Sequence, residues 1–141
     1  MSTSLVCHPG PTVGYRVASP RGVIAYLPDH EPALGAKKFP LDPEWTSGYT
    51  LSADADLLIH DAQYSAAEYP NRIGWGHSSL HQALAFGKLC RVKNLIPFHH
   101  DPSHSDDELD RFTQEAVADL KPRFNVIHGV EGVVFEPGKS S

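Results

Sequence analysis

The chain has 141 residues, 40% hydrophobic and 21% charged, with a formal net charge of −5, which allows one domain or part of one with a modest core. The acidic balance, with no basic run longer than Lys37-Lys38, excludes the electrostatic footprint of a duplex nucleic-acid binder. There is no apolar run near the roughly 20 residues of a membrane span and no signal-like first segment, and Cys7 and Cys90 form no Cys-x-x-Cys pair, so a cytoplasmic chain with reduced thiols is expected.

Leu5 to Gly10 reads as a short apolar run closing on a turn, and Thr12 to Val17 as a strand with Val13, Tyr15 and Val17 on one face. Ser19-Pro20-Arg21-Gly22 turns the chain into a second strand, Val23 to Leu27, which makes an antiparallel pair. Arg16 is expected to pack on or pair across this hairpin. Residues 33 to 54 lack periodicity and read as a long loop carrying Trp45 and Tyr49. Ala55 to His60 is the next strand, ending at Asp61. One helical turn is expected over Ser65 to Tyr69, then a glycine-flanked loop, Gly74-Trp75-Gly76-His77.

Ser79-Leu80-His81-Gln82 and Ser105-Asp106-Asp107-Glu108 each fit a capping box, so a helix starts at each. Leu80, Ala83, Leu84, Gly87 and Cys90 line one face of the first helix; Leu109, Phe112, Ala116 and Leu120 line the second. Between them Leu95 to Phe98 reads as a buried strand ending in His99, His100 and Asp101. Short strands are expected at Phe124 to His128 and Val133 to Phe135. The alternation of strands and helices predicts an α/β fold with a parallel portion of sheet.

Nine histidines are dispersed along the chain. Four strand exits end in ligand-type residues: His8, Asp29, Asp61 and His99. Imidazoles and carboxylates are the donors that zinc, iron or manganese take, and one aspartate can bridge two ions. Each residue singly also has an ordinary reading as a turn or cap residue. His30 and His60 alternate with Asp29 and Asp61 and are expected to point away from the site. Trp45, Trp75, Tyr64 and Tyr69 read either as an aromatic wall for a substrate or as plain packing anchors.

Five segments, in this order, resemble the metallo-β-lactamase superfamily: Cys7-His8-Pro9-Gly10, Ala25 to Pro32, Asp56 to Tyr64, Gly76-His77-Ser78-Ser79, and the stretch ending at His99. Their spacing is similar to the ribonuclease Z-like, phosphodiesterase-like branch. The resemblance implies an αββα sandwich, of which residues 1 to 141 resemble the C-terminal half, a mixed sheet with covering helices. It implies that His8 binds a first metal, His99 a second, and Asp29 both. It implies that His77 faces the scissile phosphate and that Asp61 orients His77 or passes a proton through it.

The superfamily's His-x-His-x-Asp-His cluster is absent. Two divalent ions are expected, zinc foremost with manganese or iron as alternatives, each left with two protein ligands and bound weakly. The expected substrate is a small phosphodiester or nucleotide. The expected partner is a complementary N-terminal half or a second copy. Three other readings stay open: a non-catalytic half-domain, a single-iron two-His-one-carboxylate site, and an acyl or thioester hydrolase.

Overall fold

In a computed structural model, residues 1–36 and 42–136 are described; part of the loop expected at 33 to 54 therefore lies outside the described residues. Six strands form one sheet in sequence order: β1 (Ser2–Leu5), β2 (Val13–Ser19), β3 (Gly22–Leu27), β4 (Leu57–Asp61), β5 (Asn94–Phe98) and β6 (Asn125–Val126). The first three are antiparallel and the last four run parallel, with helices α1 (Tyr49–Ser52), α2 (Leu80–Cys90) and α3 (Asp106–Leu120) in the crossovers. The sheet is mixed and the class is α/β, as expected.

Alternation along the strands decides which residues are buried. Ala25, Leu58 and Leu95 stand side by side in register, fully buried, and join Leu27, Leu84, Phe86 and Cys90 in one core beneath the helices. Truncating Leu58 or Leu95 to alanine there should cost roughly 2–5 kcal/mol. The opposite face carries Val13, Val17 and Phe98, exposed by 36%, 43% and 42%, together with Tyr15 and Tyr26.

Both capping boxes form as expected: Ser79 Oγ accepts from Gln82 N–H, Ser105 Oγ accepts from Glu108 N–H, and each glutamine or glutamate side chain accepts in return. Arg91 and Lys121 close the two helices in left-handed conformations.

Several local expectations need correction. The N-terminal run begins earlier and pairs with β2 as a strand at Ser2–Leu5, since a strand edge recruits even a polar segment when register allows. Within the supposed loop, Gly48 at φ 75° starts a short helix, whose last carbonyls accept from Arg16 (2.7 and 2.9 Å to Leu51 and Ala53), so Arg16 serves α1 and not the hairpin. The turn after Ser65 becomes a 3-10 turn at Tyr69–Asn71, where Pro70 suits its start. The last strand shrinks to Asn125–Val126, and residues 133–135 lie outside any strand.

Candidate metal centre

Parallel strands place their chemistry where they end. β3 runs out into Asp29, β4 ends on Asp61, and β5 delivers His99, so neighbouring strand register alone brings three polar residues to one edge. His99 follows the strand at φ 58°, a left-handed conformation rare for a residue with a side chain. That kink stops the strand and turns the imidazole towards the two carboxylates. The Gly76-His77 loop adds the fourth group.

Asp29, Asp61, His77 and His99 each offer a ligand atom, and these atoms lie within 4.8 Å of one another. His99 Nδ1 stands 3.6 Å from Asp29 Oδ1 and 3.7 Å from Asp61 Oδ2, too far for hydrogen bonds, and this buried nitrogen has no other partner. The Asp61 carboxylate raises the pKa of His99, partial burial opposes the rise, and Asp29 adds to it. An imidazole nitrogen set between two carboxylates at these distances belongs to a group of side chains that could hold a metal ion.

Asp61 is chemically distinct from Asp29. Its Oδ1 accepts from Gln63 and Ser78 N–H (3.2 Å each); its Oδ2 accepts from His30 N–H (3.1 Å) and His77 Nδ1 (2.6 Å). A carboxylate has about four acceptor sites, and here all four are used. Burial pushes the Asp61 pKa up, but the histidines, His77 first, outweigh it and the result is a lowered value. Asp29 is half-buried, and among the described residues its carboxylate accepts no hydrogen bond. Its lone pairs are open to a metal; those of Asp61 are taken.

His77 donates through Nδ1 to Asp61, which leaves Nε2 to face outward. Its ring meets those of His8 (5.4 Å), His99 (5.0 Å) and Tyr64 (6.2 Å). His8 thus stands beside the four-residue group and not within it. Its Nδ1 is used in its own turn, 3.2 Å from Gly10 N–H and 3.0 Å from Thr12 Oγ1, so only Nε2 is left as a ligand atom. The structure thus brings together Asp29, Asp61, His77 and His99, sets His8 against the His77 ring, and pairs Asp61 with His77.

His30 and His60 do face the helices and pack on Phe86, as alternation predicts. Sequence reasoning missed that they bond each other. His60 Nδ1 meets the Asp61 carbonyl (2.7 Å), which only accepts, so His60 donates there. Neutral His60 then accepts at Nε2 from His30 Nδ1 (2.9 Å), and His30 accepts at Nε2 from the Ser47 hydroxyl (3.2 Å). Ser47 Oγ in turn accepts from Cys7 N–H (2.7 Å). The signal was present: two imidazoles one residue beyond and before aspartates on adjacent parallel strands. His104, unassigned from sequence, bonds Glu68 (2.9 Å). Among the aromatics, Trp45 is 85% exposed, while Tyr64 flanks His77.

No family model matches the chain. It is 32% identical over 101 residues to a ribonuclease Z of Exiguobacterium, a match covering 72% of this chain and 29% of the relative. It is 32% identical over 81 residues to the mouse zinc phosphodiesterase ELAC protein 1, covering 57% of this chain and 22% of the relative. Among solved structures, the metallo-β-lactamase fold protein YhfI from Bacillus subtilis superposes with a TM-score of 0.69 at 18% identity, over 96% of this chain and 48% of its own. The chain has a metallo-β-lactamase fold, and its sequence is similar to the ribonuclease Z-like branch. It spans less than a third of the length of these curated relatives. Among the described residues, no helix is long and apolar enough to cross a membrane.

Proposed function

We propose that this metallo-β-lactamase-fold chain supplies one side of a dinuclear centre that hydrolyses phosphodiesters. The observation that carries the reading is His99: a buried imidazole nitrogen, without a hydrogen bond, facing two carboxylates. An unsatisfied buried nitrogen costs roughly 1–3 kcal/mol, and a cation between His99 and Asp29 would remove that cost. Asp29 and His99 would hold one ion, and Asp29 with His8 the other. Zinc is the metal named for one sequence relative. When bound, such a pair of ions polarises a phosphodiester and supplies the attacking hydroxide.

The remaining chemistry falls to the chain's own side chains. Asp61 fixes the orientation of His77 through Nδ1. His77 Nε2 would then be the group placed to pass a proton to the departing oxygen. Relatives named as a ribonuclease and a phosphodiesterase support a phosphodiester substrate; the name of one similar solved chain, a human tRNase Z, favours an RNA diester, against which stands only the net charge of −5 on these residues.

Two protein ligands per ion fall short of the three or four that zinc sites use. The remaining ligands would come from a polypeptide bearing His-x-His-x-Asp-His, whose own sheet would cover Val13, Tyr26 and Phe98. The test is hydrolysis of an aryl phosphodiester with zinc. No turnover is expected from this chain alone, and turnover is expected on adding such a polypeptide. Continued inactivity in the reconstituted pair, with zinc bound, would overturn the catalytic reading in favour of a non-catalytic module.

A further inference from the structure

Glu31 is fully buried, and among the described residues it forms no ion pair. Its carboxylate is instead surrounded by neutral donors from one loop. Oε1 accepts from the Tyr69 hydroxyl (2.7 Å), Gly74 N–H reaches both oxygens (2.9 and 3.0 Å), and Oε2 accepts from Gly76 N–H (2.8 Å). Gly74 and Gly76 have φ of 84° and 92°. Alternating left-handed glycines turn successive N–H groups inwards and form a concavity that binds an anion. Here the anion belongs to the chain itself.

The same residue reaches a second site segment. Glu31 N–H donates to the Cys7 carbonyl (3.0 Å), which fastens the loop of His8. Gly76 sits so close to that loop that a Cβ would collide with the His8 ring and Pro9. Glu31 also lies two residues beyond Asp29, on the same strand exit. One buried carboxylate therefore joins the segments that carry Asp29, His8 and His77.

We infer that Glu31 is a positioning residue that holds the Gly74–His77 loop in register, so that His77 meets Asp61 and His8. Its catalytic meaning rests on the phosphodiesterase reading, but its geometry does not. A carboxylate is required because it only accepts. Glutamine would replace one of the two oxygens by an NH₂ group: turned towards Tyr69 it leaves that hydroxyl without its acceptor, and turned towards Gly76 it leaves that N–H unpaired.

The test uses the metal-free chain and no substrate, so its result is independent of whether the chain hydrolyses anything. In the wild type, amide exchange measured by NMR should show Gly74 and Gly76 protected, and the His77 Nδ1 proton should appear far downfield. E31Q should speed exchange at both glycines by at least tenfold and remove the His77 signal, while amides of α2 keep their protection. If E31Q does not fold, Tyr69→Phe decides: loss of one donor on Glu31 should raise exchange at Gly74 and Gly76 several-fold. Glycine amides that exchange in the wild type as fast as open loops, an unmoved His77 proton in E31Q, or unchanged exchange in Tyr69→Phe would each overturn the assignment.

Discussion

His77 Nδ1 and Asp61 Oδ2 lie 2.6 Å apart, and the carboxylate is fully buried while the imidazole keeps 15% of its side-chain surface. Asp61 can thus act only through the groups it holds, whereas His77 can touch a ligand. Asp61→Asn keeps the shape but turns an NH₂ group towards donors that need an acceptor. The variant is expected to lose about 1–3 kcal/mol in urea denaturation. In a reconstituted enzyme it should also lower kcat by about 10²–10⁴-fold with little change in KM, the range for general acid–base groups. Unchanged stability would refute the hydrogen-bond accounting.

The His30–His60 pair should make the fold acid-sensitive. Burial lowers the pKa of both, and for His30 the neighbouring His60 adds to a pKa well below the ordinary value. The folded state therefore holds fewer protons than the unfolded one below the usual histidine pKa of about 6.5. Stability is fully present above that pH and falls as pH drops beneath it. Melting temperature should decline from pH 7 to pH 5, and a His30→Phe variant, if folded, should show a shallower decline.

An alkaline limit should come from Tyr69. Burial first, and the Glu31 carboxylate second, push its pKa up to about 12. The phenol stays protonated and donating in the folded state above the unfolded value of about 10. The stability this gives is complete below that value and is lost as pH rises through the folded one. Burial also raises Tyr26 and Tyr64, so ultraviolet titration should show Tyr69 as the last of the five tyrosines to ionise, and Tyr69→Phe should remove that last component.

Much of the fold was legible because its signals are local. Ser79 with Gln82, and Ser105 with Glu108, announce their helices within four residues. The alternation through Leu58 and His60 separates core from edge within one strand. The segments around His8, Asp29, Asp61, His77 and His99 could be assembled only because the family resemblance supplies their order in space. Glu31 was not legible: its donors, Tyr69, Gly74 and Gly76, stand 38 to 45 positions away, and no spacing rule links them. The strand at Ser2–Leu5 was missed for a related reason, since its pairing with β2 depends on register and not on its own composition.

The central claim is that His99 and Asp29 are metal ligands whose set is incomplete in this chain. Zinc titration followed by NMR and by calorimetry tests it most directly. The account predicts weak, substoichiometric binding that moves the His99 and His8 ring resonances and disappears in His99→Ala and in Asp29→Asn. Two tightly bound zinc ions in the chain alone, or binding that His99→Ala leaves unchanged, would contradict it.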